Sequence, residues 1–238
     1  MNRKERRNHK RHNKQDVKVG GKRSLFPSKK LIQDAQSCID IGDVDGAKAL
    51  LIKATQLAPH SWEPYHVQAL IAYSEGRLND AGEMILEATT RNDSDPALHA
   101  NCGAIMNLLG RPQEAEAACR HAIDLDPSNP EPHNNLAVSL EVQGRLIEAQ
   151  EAAIRAIELN PQYLEACINL GNILMRAGEP LTAIDSYRAA IRIDPKAVLA
   201  RANLAVALRE TGEIDLAEKE RQEALNIDPI IAKQIIND

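Results

Sequence analysis

Asn101, Asn135, Asn169 and Asn203 stand 34 residues apart. A carboxamide offers both a donor and an acceptor, so such a row can pair with the backbone amides of an extended peptide whatever its sequence. At about 1 kcal/mol net per hydrogen bond, four contacts supply only ~4 kcal/mol. Side-chain pockets must add the rest of a tight complex. Asn107, Asn134 and Asn172 lie close by in the sequence, and Glu63, Glu131 and Glu165 share a second phase of the same spacing. The acids define either an edge that favours neutral or basic ligands or a solvated rim. The asparagines either read a ligand or bond neighbouring elements to one another.

No catalytic constellation accompanies them. There is no His-Glu-x-x-His spacing, no Cys-x-x-Cys pair and no strained serine elbow. Gly20-Gly21-Lys22 lacks the preceding strand and the second glycine spacing of a phosphate loop. His66, His99 and His133 read as core-filling residues rather than metal ligands. Cys38, Cys102, Cys119 and Cys167 fall where related positions carry small or apolar residues, so they read as buried thiols. Neither a metal, a cofactor nor enzymatic activity is expected.

The elements that must position these side chains follow from the same period. Gly42, Gly76, Gly110, Gly144, Gly178 and Gly212 also stand 34 residues apart. The chain divides without gaps into 28–61, 62–95, 96–129, 130–163, 164–197 and 198–231. Counting from the first residue of each unit, positions 4, 7, 8 and 11 form one apolar helical stripe, as in His133, Leu136, Ala137 and Leu140. Position 15 is the glycine, suited to the left-handed end of a helix. Pro112 and Pro180 fall in the first turn of a following helix. Alanine recurs at position 20, from Ala47 to Ala217, and at position 27, from Ala54 to Ala224, two helical turns apart. Pro59, Pro127, Pro161, Pro195 and Pro229 close their units. Asp93 takes that place in the second unit and predicts a looser join to the third.

This pattern resembles the tetratricopeptide repeat family, which carries large residues at 4, 11 and 24, small ones at 8, 20 and 27, and proline at 32. The resemblance implies an all-α, right-handed α-solenoid of six helix-turn-helix hairpins and a scaffold that binds other proteins. It also implies that positions 2, 5, 6, 9, 12 and 13 of each first helix line a concave face. The asparagine row is then at position 6 and the three glutamates are at position 2. Helices pack about 8–10 Å apart and an extended chain rises about 3.3 Å per residue, so one asparagine meets about every third ligand residue. The row is similar to the asparagine array in the repeat domain of O-linked N-acetylglucosamine transferase, where such residues hold substrate peptides. The basic carboxylate clamp of the chaperone-binding branch is missing, because Arg176 and Arg209 lack counterparts in earlier units. Arg201 and Arg221 at stacking positions of the sixth unit fit a terminal cap, with 232–238 as a short lid carrying Ile235 and Ile236.

Charge is divided unevenly. Residues 1–30 hold twelve lysines and arginines, among them Arg3, Lys4, Arg6, Arg7, Lys10 and Arg11, against Glu5 and Asp16, although the whole chain carries net charge −5. The segment 1–27 is polar and predicts a tail without stable structure, in which only Leu25, Phe26 and Pro27 are suited to dock on the first hairpin. An anionic partner suits this tail: nucleic acid, a ribosome or an acidic membrane surface. No stretch is apolar enough to span a bilayer, and no apolar run follows the basic start, so a soluble cytoplasmic protein is expected. The leading reading is a peptide-binding adaptor. The alternatives are a tether acting through the tail and an accessory subunit of a glycosyl- or sulfotransferase system. Self-association is left open.

Overall fold

The glycines that set the period become the elbows of the structure. The computed structural model describes residues 25–236, with side chains over 27–235. Thirteen helices and no strand occur among the described residues. Twelve form six hairpins: α1 (Leu25–Asp40) with α2 (Val44–Leu57), α3 (Glu63–Ser74) with α4 (Leu78–Arg91), α5 (Pro96–Leu108) with α6 (Pro112–Leu125), α7 (Pro130–Val142) with α8 (Leu146–Leu159), α9 (Leu164–Arg176) with α10 (Pro180–Ile193), and α11 (Val198–Glu210) with α12 (Ile214–Ile227). A short α13 (Pro229–Ile236) follows. No described helix is long and apolar enough to cross a membrane.

At Gly110 the backbone turns through φ +67°, a conformation that a Cβ would resist. The Arg111 N–H donates to the Met106 carbonyl at 2.9 Å and the Gly110 N–H to Asn107 at 3.0 Å, so α5 ends with its carbonyls satisfied. All six phased glycines adopt this conformation, with φ between 67° and 85°. Pro112 and Pro180 open α6 and α10, where a missing N–H costs nothing. At the far end of four hairpins, Asp126, Asn160, Asp194 and Asp228 each accept a backbone N–H two residues on, at 2.8–3.0 Å. These Asx turns stop the second helix just ahead of the proline.

The core is built from small against large residues. All the alanines at positions 20 and 27 are buried. Position 8 faces position 24 across each hairpin, and the two share a fixed space. Where position 24 is Tyr187, position 8 is Gly171, and a Cβ there would lie 2.3 Å from the ring. Gly103 makes room for the Cys119 sulfur in the same way. The first helices α5, α7, α9 and α11 pack side by side, and each second helix also packs on the first helix of the next hairpin. One wall of the solenoid is therefore made of first helices and the other of second helices.

The two ends of the stack are built differently. α1 begins at Leu25, ahead of the unit boundary expected at 28, and the buried Ser28 hydroxyl donates to the Ala54 carbonyl at 3.2 Å. Asp34 turns out to solvent and leaves Ala35 to fill the core. The docking expected of Leu25 and Phe26 lies outside the described side chains, and Pro27 is exposed. At the other end, Ala232 and Ile235 of α13 pack on Ala202 and Ala224. Arg201 donates to Glu220 at 2.6 Å and to the Pro195 carbonyl, and Arg221 pairs with Glu218, so the charges of the sixth hairpin are compensated. At the Asp93 join the first helices α3 and α5 pack less closely than α5, α7, α9 and α11 do with one another, and the Asp93 carbonyl accepts from His99 at 3.2 Å and from His121 at 2.9 Å.

Candidate peptide-binding groove

The asparagine row lies on the first helices, as the period requires, with Asn101 on α5, Asn135 on α7, Asn169 on α9 and Asn203 on α11. All four are half-buried. They form a chain of inter-helix bonds. Asn101 Nδ2 lies 2.9 Å from His66 Nε2 on α3. Burial holds the pKa of His66 down against the opposing charge of Asp95, so the ring is neutral and its nitrogen accepts. Asn169 Nδ2 donates to Asn134 Oδ1 on α7 at 2.9 Å, and Asn203 Nδ2 donates to Asn172 Oδ1 on α9 at 2.9 Å. Between α5 and α7 the bond is instead from Asn107 Nδ2 to the Asn135 carbonyl, at 2.8 Å.

Four successive joins from α3 to α11 thus each carry one amide bond. Asn107, Asn134 and Asn172 are hydrogen-bond partners of the row. This was not visible from the 34-residue phase, because the bonded pairs are offset by 35, 31 and 28 residues. Capacity remains after these bonds. Each Nδ2 carries two hydrogens and uses one, and each row Oδ1 retains acceptor sites. Asn135 differs from the rest: among the described residues nothing takes up its side-chain amide.

The three glutamates sit in the first turns of α3, α7 and α9. Glu63 is half-buried and accepts from the Ser61 hydroxyl, while Glu131 and Glu165 are exposed. Carboxylates there also favour the helix through its dipole, which gives them a structural role irrespective of any ligand. Arg176 is committed to Glu141, donating to its carbonyl at 2.9 Å and to Oε1 at 3.2 Å. It is not a free anion-binding group. The basic residues Arg3, Lys4, Arg6, Arg7, Lys10 and Arg11 lie outside the described residues.

The rest of the surface offers less. A cavity of about 360 Å³ lies among α6, α7 and α8, and one of about 380 Å³ among α2, α3 and α4. Both open beside second helices and contain none of the row asparagines. The thiols behave as expected: Cys102, Cys119 and Cys167 are buried and Cys38 is half-buried. Burial pushes the thiol pKa to about 11 at Cys102 and about 12 at Cys119, far from a reactive thiolate. His121, not singled out by the sequence, meets His99 and Asp93 at the join of the second and third hairpins.

Several solved structures share this architecture. PilW, described as a widely conserved type IV pilus biogenesis factor, superposes with TM-score 0.76 at 19% identity, over 85% of this chain and 94% of that one. PilF of Pseudomonas aeruginosa gives 0.71 at 17% identity, over 87% and 94%. YrrB, described as a TPR protein with an unusual peptide-binding site, gives 0.58 at 22% identity, over 77% and 96%. At such identities the likeness establishes the fold. No curated protein matches the sequence. Residues 66–130, 108–163, 134–198 and 168–229 each match the tetratricopeptide repeat, and together these spans exceed half of the chain. With six such hairpins stacked end to end, the chain belongs to the tetratricopeptide repeat family.

Proposed function

We propose that the protein is a non-catalytic adaptor that holds an extended segment of a partner protein against the wall formed by α3, α5, α7, α9 and α11. Family membership supports a protein-interaction scaffold. The finer reading rests on one observation: the asparagine chain keeps unused donors and acceptors at regular spacing, with the Asn135 amide uncommitted. The half-buried apolar residues Ala104, Val138, Met175 and Val206 on the same helices supply surface for alternate ligand side chains. The description of YrrB as a peptide binder agrees with this use of the fold.

The test is affinity capture followed by mass spectrometry, comparing the intact protein with Asn135→Ala and with the fourfold Asn101, Asn135, Asn169 and Asn203 alanine variant. Helicity is checked by circular dichroism. Capture that survives both changes in a folded protein removes the row from the mechanism. The charge asymmetry favours a second reading, a tether acting through residues 3–23. Deleting residues 1–23 separates the two, because an adaptor keeps its partner whereas a tether loses one whose binding is sensitive to salt.

A further inference from the structure

The second hairpin ends in Asp93, where five of the six units carry proline. The next hairpin carries His99 at position 4 and His121 at position 26. No other hairpin has histidine at both places; the neighbours there have Tyr65 with Glu87, and His133 with Arg155. These three departures from the repeat meet at one point. His99 Nε2 lies 3.4 Å from Asp93 Oδ1, and His121 Nε2 lies 3.3 Å from the same oxygen. The imidazoles stand edge to face with centroids 4.2 Å apart. All three ligand atoms fall within 4.8 Å of one another, and no second such group of potential metal ligands occurs among the described residues.

We propose that Asp93 Oδ1, His99 Nε2 and His121 Nε2 form a three-ligand site for a divalent transition metal, zinc in the first instance, at the join of the second and third hairpins. Zinc bonds of about 2.0–2.1 Å at tetrahedral angles place neighbouring ligand atoms about 3.3 Å apart. The two His–Asp separations already have that value. Two imidazoles and one carboxylate suit zinc, nickel or copper rather than calcium or magnesium, which prefer oxygen alone. Asp93 and Asp95 supply local negative charge.

The supports differ in mobility. His99 is buried on α5 and His121 half-buried on α6, so two ligands are set by packed helices. Asp93 is exposed and free to adjust. Its exposure also leaves the fourth position open to water or to a side chain of a bound partner. Without metal, both Nε2–H groups donate to the Asp93 carbonyl. On metal binding, Nε2 of each ring gives up its hydrogen bond to the Asp93 carbonyl, any proton the ring keeps sits on Nδ1, and water takes over the exposed carbonyl. The ion then fastens the end of one hairpin to both helices of the next.

The experiment uses the full chain without an affinity tag, stripped by chelator and titrated with cobalt(II), read by its d–d absorption, and with zinc chloride, read by calorimetry. Two variants keep the fold. Asp93→Pro restores the repeat's usual residue and retains the carbonyl that both histidines use, and His121→Gln retains a donor. The wild type should bind one equivalent with a tetrahedral cobalt spectrum. Both variants should bind at least tenfold more weakly. Zinc at about 100 times the wild-type Kd should raise the wild-type Tm by about 5–10 °C and that of Asp93→Pro by no more than about half as much. Absence of saturable binding at micromolar metal would overturn the proposal. So would equal binding by wild type and both variants, which would place the ion away from this join.

Discussion

The Tyr187 hydroxyl donates to Asn172 Oδ1 at 2.9 Å, and Asn203 Nδ2 donates to the same oxygen at 2.9 Å. One carboxamide therefore links a core residue of α10, the wall helix α9 and the next wall helix α11. Tyr187→Phe removes one of two donors and should cost about 0.5–1.5 kcal/mol in urea unfolding. Asn172→Ala strands both the buried hydroxyl and the Asn203 amide and should cost more. Equal stability of the two variants would show that the bond to Asn203 contributes nothing.

The same tyrosine makes Gly171 hard to replace. Gly171→Ala would put a Cβ 2.3 Å from a ring that is buried and tethered by its hydroxyl. Overpacking of about 1–3 kcal/mol should exceed the helix-propensity gain of about 1 kcal/mol. At Gly82 the obstacle is the mobile end of Leu109, so Gly82→Ala should be near neutral. Thermal melts of the two variants side by side provide the measurement.

Glu116 should govern part of the acid limb of stability. Burial alone would raise its pKa, but Gln143, Arg145 and Arg120 donate to the carboxylate and hold it at about 2, against an ordinary 4.5. Its contribution is complete above pH 4.5 and is lost as pH falls towards 2. Glu116→Gln should flatten the slope of unfolding free energy against pH across that window. A slope identical to wild type would show that the network does not persist in solution.

The asparagines should divide by their bonds. Asn169→Ala and Asn203→Ala each break a link between neighbouring first helices and should destabilise by about 1 kcal/mol. Asn135→Ala breaks no side-chain bond among the described residues and should stay within about 0.5 kcal/mol of wild type. Denaturant titration separates these outcomes before any ligand is known.

Thiol labelling reports the same packing. Cys38 is half-buried, whereas Cys102, Cys119 and Cys167 are buried. In native protein an alkylating reagent should modify Cys38 first and reach the others only on unfolding. Early modification of Cys119 would contradict the close fit of its sulfur over Gly103.

The legible part of the molecule is what repeats in phase. The alanines at positions 20 and 27 and the elbow glycines could be read directly because each hairpin presents the same packing problem and solves it with the same residue. The asparagine row was legible as a row, but its bonds were not. They run diagonally between helices, so Asn134 meets Asn169 and Asn172 meets Asn203, out of phase with the repeat. Asp93 shows the opposite difficulty. Read as a missing proline it suggests weakness, whereas its effect depends on His99 and His121, and the second lies 28 residues away on another helix. Helix ends were also obscure: Pro229 resembles the terminators before it, yet it opens α13.

Because every elbow turns through the same dihedral, the coil is a commensurate ruler with 34-residue graduations. Excising one whole graduation keeps the remaining elbows in step and shortens the span, while the side-chain bonds at the new join change partners. Losing a single amino acid puts everything downstream out of step, so changes of length should be tolerated only in whole quanta.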